Sequence, residues 1–238
     1  EALRHSVSLA QLADRLGFHR YWVAEHHGMP LVAVSAPEVL IAAIAQATRR
    51  IRVGSGAVLL GHYSPLKVAE QFHTLAALFP DRIDLGVARA PGGDQVESFA
   101  LSRRRDRNRY AADDFPEQLL ELLFYHERGF QPDHPFHRIH LSPRAPIPPE
   151  TWMLGGSPWS ASAAAQLALP YAYAQFLSPR GAAEAIRYYR AHFAPSRRRA
   201  APHAMLTVGV VCAPTGAEAR RIAASAHALN RDRRTIAD

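Results

Sequence analysis

Residues 24 to 30 read Ala-Glu-His-His-Gly-Met-Pro, and Glu25-His26-His27 gathers groups that accept, donate and hold protons. The run follows Arg20 to Ala24, which reads as a buried strand, and Gly28 and Pro30 end that strand. Three chemistries suit such an exit: metal ligation, proton transfer beside a cofactor, or a buried hydrogen bond that caps the strand. Neighbouring strand residues point to opposite faces, so His26 and His27 reach one metal only if the strand has already ended. No other Cys/His cluster supplies ligands, so no metal site is expected. Imidazole titrates near neutral pH, which suits proton handling. The capping role remains open beside it.

Other residues fit an anion. Arg89 ends a predicted strand and offers a forked, permanently charged donor set. Ser157 precedes Pro158 and reads as an N-cap, and Ser160 lies one turn further on. A helix start presents free N–H groups and partial positive charge to a phosphate. An ordinary Ser-Pro cap and a surface arginine explain the same residues structurally. Glycines in Gly54-Ser55-Gly56-Ala57-Val58 weaken a strand unless something approaches it closely or a bulge turns it. Lys67 lies in the first turn of a helix and is expected in solvent; Trp22, Trp152 and Trp159 are expected in the core or a pocket wall.

These groups need elements to hold them. The pattern predicts helices over 1–16, 35–48, 64–78, 114–126, 157–169 and 180–193, and one opening at Thr215. Ser35-Ala36-Pro37-Glu38 and Thr215-Gly216-Ala217-Glu218 read as capping boxes. Strands are predicted over 20–26, 51–59, 82–89, 151–155, 171–177 and 205–213. Residues 94–112 read as a polar connection, and 129–150 as a proline-rich excursion with a short strand at 136–141. Short, apolar strands separated by helices call for a parallel sheet covered by helices. No G-x-G-x-x-G or G-x-x-x-x-G-K-[ST] occurs, and His26, His62, Arg89, Ser157 and Gln175 gather at carboxyl ends of strands. That placement favours a (β/α)8 barrel of TIM type over an open doubly wound sheet. An eight-stranded barrel would then have its first and last strands before Glu1 and after Asp238. One domain over 1–238 is expected.

The chain has 238 residues, 48% of them hydrophobic, and a net charge of +7. Lys67 is its single lysine, and the arginines cluster at 103–105 and 197–199 without interleaved aromatics, so nucleic acid is not the expected partner. The arginines at 103–109 read as a solvated loop. No apolar run is long enough to span a membrane and no leader is visible, so a cytoplasmic location is expected. Cys212 lies in an apolar run and is expected to be a buried small hydrophobe.

Three stretches in this order and spacing resemble the bacterial luciferase-like, flavin-dependent monooxygenase family: RYWVAEHHGMP, RIRVGSGAVLLGHYSPLKVAEQFHTLAALFPDRIDLGVARAPG and TWMLGGSPWSASAAAQLALPYAYAQF. The resemblance covers most of the chain. It implies a (β/α)8 barrel that binds FMN, used as reduced FMN (FMNH2) from a separate flavin reductase, with O2 as co-substrate and a C4a-(hydro)peroxyflavin on the route. It implies a homodimer and a small-molecule substrate, and analogy with arginine-rich bacterial relatives suggests a secondary-metabolite tailoring step on molecules such as polyketides. His26 falls on the family's catalytic histidine and His27 on its neighbour. Arg89, Ser157 and Ser160 fall on phosphate-contact positions, and Gly56–Ala57 on a non-proline cis peptide beside the flavin. Gly61 departs from the family, where proline is frequent. A deazaflavin-dependent oxidoreductase and a non-catalytic flavin-binding relative are the alternatives.

Overall fold

The computed structural model describes residues 1–29, 32–91, 95–101 and 114–224. Six parallel strands form one sheet in chain order: β1 (Arg20–Val23), β2 (Arg52–Leu59), β3 (Ile83–Ala88), β4 (Glu150–Gly155), β5 (Tyr171–Ala174) and β6 (Ala204–Thr207). Helices occupy the connections: α1 (Ala2–Arg15) precedes β1, α2 (Pro37–Ala47) follows it, and α3 (Pro65–Leu78) follows β2. α4 (Gln95–Leu101) and α5 (Phe115–Glu127) follow β3, α6 (Pro158–Gln166) follows β4, and α7 (Ala182–Ala191) follows β5. A strand order that never reverses belongs to a TIM-type barrel, because doubly wound sheets reverse at a switch point.

Register shows which residues line the inside. Arg20 pairs with Arg52, Trp22 with Gly54, Gly54 with Asp84, and Asp84 with Glu150. Side chains alternate, so Arg20, Trp22, Arg52, Gly54, Asp84, Gly86, Glu150 and Trp152 share one face. Trp22 and Trp152 stand on β1 and β4, with two strands between them, yet their rings meet edge to face at 5.2 Å. Only a strongly curled sheet permits that contact, and β2 and β3 carry Gly54 and Gly86 on the face where it happens. The opposite face packs on the helices. Leu40, Ile41, Ile44 and Ala45 bury one stripe of α2 against Val53 and neighbouring strand residues. Each leucine or isoleucine so buried contributes about 1.5–3 kcal/mol.

Several expectations are corrected. Ser35 does not cap α2: Ala36 is the N-cap and no side chain bonds there. The Thr215 cap does form, with Glu218 N–H donating to its hydroxyl, and the helix covers 216 to 224 of the described residues. Residues 136–141 form no strand; Pro135–Arg138 is a 3-10 turn, because Pro135 pre-sets a turn and His134 caps it from Phe136 N–H. β6 ends at Thr207, and the apolar run beyond it is irregular. Cys212 is therefore exposed rather than buried, like Val208, Val210 and Val211 around it. The polar connection after β3 contains α4, whereas the arginines at 103–109 lie outside the described residues. Among the described residues no helix is long and apolar enough to cross a membrane.

Candidate active site at the carboxyl ends of the strands

β1 stops at Val23, so Glu25, His26 and His27 lie beyond it, where strand alternation no longer governs them. Gly28 turns the chain with φ of 63°, a conformation that favours glycine. His26 is tied by its backbone, its N–H donating to the Val34 carbonyl at 3.0 Å. Glu25 is 3% exposed and works harder than a strand cap. Its Oε2 accepts the Leu59 backbone N–H at 3.0 Å, and its Oε1 accepts the Tyr63 hydroxyl at 2.6 Å. His27 Nε2 lies 2.7 Å from the same Oε1. The carboxylate thus joins the ends of β1 and β2 and holds one imidazole. Burial, and then its bond to Glu25, push the Tyr63 phenol far above the usual tyrosine range, so it stays a donor. The His27 ring meets the His62 ring edge to face at 6.1 Å, and His62 Nε2 bonds the Pro91 carbonyl at 2.7 Å. Sequence reasoning named Glu25 without its partners and missed Tyr63; the signal was a carboxylate directly after an apolar strand.

The next strand supplies a ledge. The Gly56–Ala57 peptide is cis. It sits in a bulge, since Ser55 pairs with Leu85 and Val58 with Val87, leaving two residues of β2 opposite one of β3. Both sequence readings of this stretch, a bulge and a cis bond, therefore hold together. A Cβ on Gly56 would stand 3.2 Å from Trp22 Cβ and 3.8 Å from Leu154, so the ledge has no room for a larger residue without movement.

β3 and β4 supply cationic and N–H groups. The Arg89 guanidinium lies over the Trp159 ring, 5.7 Å from its centre, which brings it to the first turn of α6. That turn starts with a reciprocal box: Ser160 N–H donates to Ser157 Oγ at 3.2 Å, and Ser157 N–H to Ser160 Oγ at 3.3 Å. Ser157 is exposed, while Ser160 is 2% exposed, its hydroxyl donating to the Ser157 carbonyl at 2.7 Å and lying 3.2 Å from the Tyr171 hydroxyl. Gly155 leaves space for this turn, since a Cβ there would meet Ser160 at 2.8 Å. Lys67 is exposed, as expected. Trp152 is in the core, and Trp22 and Trp159 are partly buried. Among the described residues no group of His, Cys, Asp and Glu is arranged to hold a metal.

The amino ends carry a second polar cluster that the sequence did not reveal. Asp84 is fully buried inside an apolar strand and accepts from Arg20 Nε at 3.0 Å, Trp22 Nε1 at 2.8 Å and Arg52 Nε at 2.8 Å. Glu150 accepts from Arg20, Arg199 and Trp152. Burial opposes its ionisation, but Trp152 and the two guanidinium groups outweigh that and hold its carboxyl below the usual range. A cleft of about 730 Å³ opens beside this cluster, lined by Arg52, Glu127, Pro148 and Arg198 among others. Its Arg52 and Arg198 already face Asp84 and Glu127, so size alone does not make it the reactive site. Catalytic barrels place their chemistry at the opposite mouth.

Comparison with known proteins follows the same lines. A family model described as luciferase-like monooxygenase matches residues 1–236. The luciferase-like monooxygenase of Escherichia coli (strain K12) is 41% identical over 92% of this chain and 63% of its own length. The N-acetyl-S-alkylcysteine monooxygenase of Bacillus subtilis (strain 168) is 43% identical over 82% of this chain and 58% of its own. Among solved structures, apo-MsnO8 superposes with a TM-score of 0.87 at 48% identity, covering 99% of this chain and 68% of that one. The chain spans just under two thirds of the length of the first curated relatives it matches.

Proposed function

The chain belongs to the luciferase-like monooxygenase family, and we propose that it is the oxygenating component of a two-component system. In this reading it takes reduced FMN from a separate flavin reductase and uses molecular oxygen to oxygenate a small organic molecule. The observation that carries the reading is the convergence of four neighbouring strand ends. His26 and His27 follow β1, the Gly56–Ala57 bulge lies in the carboxyl half of β2, Arg89 follows β3 and Ser157 opens the helix after β4. In kind these are the groups a flavin mononucleotide calls for: a cation and a helix start for the phosphate, a backbone ledge for the ring and imidazoles for protons.

Each group then has a task. The Arg89 fork, the Ser157 hydroxyl and the N–H groups at the start of α6 take the phosphate, with Ser160 holding Ser157 in its capping conformation. Gly56, lacking a Cβ, and Ala57 give a flat ring a backbone surface to lie on. Bound reduced flavin supplies the electrons and the reaction with oxygen. The chain's own residues orient the ring, keep water from it and handle protons at His26 and His27. N-acetyl-S-alkylcysteines, named for the Bacillus subtilis relative, are the first substrates to try, and polyketide-type secondary metabolites the second. The working form is a homodimer, which sedimentation of the purified protein checks.

Anaerobic titration tests the cofactor directly. Reduced FMN is expected to bind more than about tenfold tighter than reduced riboflavin, since hydrogen bonds to a charged group contribute about 1.5–3 kcal/mol. A deazaflavin cofactor is expected to bind more weakly than FMN. Equal binding of riboflavin, or tighter binding of the deazaflavin, would overturn the assignment.

A further inference from the structure

We propose that Glu25 is a positioning residue that locks His27 in its Nε2-protonated tautomer and so makes Nδ1 the atom that accepts a proton. The inference rests on the reading of this edge as proton-handling, and its direct readout needs no flavin.

The lock follows from counting donors. The Leu59 backbone N–H can only donate, and it occupies Glu25 Oε2 at 3.0 Å. The Tyr63 phenol is held protonated by burial and by the carboxylate beside it, and its O–H occupies Oε1 at 2.6 Å. Both oxygens already accept from obligate donors, so the geometry points to the ring nitrogen 2.7 Å from Oε1 as a third donor that carries the hydrogen. That nitrogen is Nε2, and a neutral imidazole with Nε2–H keeps its lone pair on Nδ1. Among the described residues no hydrogen bond reaches Nδ1 of His27, whose side chain is 13% exposed. The neighbouring ring repeats the arrangement. The Pro91 carbonyl can only accept, so His62 Nε2 also carries the hydrogen, and its lone pair too lies on Nδ1. A buried carboxylate that orients an imidazole and fixes its tautomer is how acid–base histidines are prepared elsewhere.

A plain strand cap would explain only the bond to Leu59, so the test must separate the two roles. In Glu25→Gln the fixed Leu59 N–H requires the amide oxygen on its side. The amide NH2 then faces His27, donates to Nε2 and drives the hydrogen to Nδ1. Two-bond ¹H–¹⁵N correlation spectra of ¹⁵N-histidine-labelled protein, with His27 assigned by a His27→Asn variant, read the tautomer directly. The wild type is expected to show Nε2–H, Glu25→Gln to show Nδ1–H with the fold intact, and Tyr63→Phe to keep Nε2–H. Oxygenation by Glu25→Gln is expected to fall about 10- to 100-fold in kcat with reduced-FMN affinity unchanged. Nδ1–H in the wild type, or an unchanged tautomer in Glu25→Gln, overturns the lock. The predicted tautomer switch together with absence of flavin binding in the wild type would sustain the lock and remove the functional reading instead.

Discussion

The two ends of the curled sheet use the same residue types differently. At the amino ends, Asp84 and Glu150 face Arg20, Arg52 and Arg199, and two indole N–H groups complete the set. At the carboxyl ends, Glu25 serves three donors, yet the imidazole it holds has a nitrogen to which no described residue donates or accepts. A closed network stabilises, because every buried polar group has its partner. A network with one acceptor left over can act on something else. The difference lies in who answers whom, since both ends hold carboxylates beside nitrogen bases.

The largest expected effect comes from opening the closed end. Asp84→Ala leaves Arg20 and Arg52 facing each other without their shared carboxylate, and is expected to cost about 3–5 kcal/mol of stability, read by urea unfolding. A loss below about 1 kcal/mol would mean that solvent reaches this cluster. At the open end, His26→Ala is expected to fold normally and hold reduced FMN, but to lose about 10²–10⁴-fold in coupled oxygenation. Unchanged substrate oxidation would remove His26 from proton handling. Arg89→Ala is expected to weaken FMN by about 1.5–3 kcal/mol while leaving riboflavin unchanged; equal losses for both would place Arg89 away from the phosphate.

A second set of imidazoles, away from both ends, sharpens the contrast. Ala145 N–H donates to His73 Nδ1 at 3.1 Å, so His73 Nε2 carries the hydrogen that bonds His126 Nδ1 at 2.9 Å. Burial, and then Arg144, lower His73 from 6.5 to about 4; burial, then His73 and Arg144, lower His126 to about 3. Both are neutral when folded and protonate more readily when unfolded. Their contribution is complete above the unfolded value of 6.5 and is lost as pH falls towards the folded values, His73's at about 4. Unfolding free energies from urea should therefore fall across that window, by about 3 kcal/mol through His73 alone, and the fall should be smaller in His73→Asn. A profile as steep in His73→Asn as in the wild type would assign the loss to other groups.

Much of the fold was legible because apolar spacing marks the strands and helices, and because six short strands alternating with helices leave few topologies. Placement was legible at two candidate positions: Ser157 before proline does cap α6, and Arg89 does follow the end of β3. The cis bond at Gly56–Ala57 came from family resemblance; glycine spacing alone also fits the bulge that is there. Asp84 was invisible because its partners lie 64 and 32 residues away in sequence, on strands that only the register brings beside it. Cys212 misled because an apolar run is buried only where something covers it. Ser35 misled because a box requires the cap one residue before the helix, and Ala36 holds that place.

In the proposed function the carboxyl end holds reduced FMN for controlled reaction with oxygen. The most direct measurement mixes the anaerobic protein, loaded with reduced FMN, with oxygenated buffer and follows oxidised-flavin absorbance by stopped flow. The account predicts that oxidised flavin appears well after it does for free reduced FMN, and that Arg89→Ala shortens the delay. Oxidation at the rate of free reduced FMN, under conditions where the flavin is bound, would contradict it.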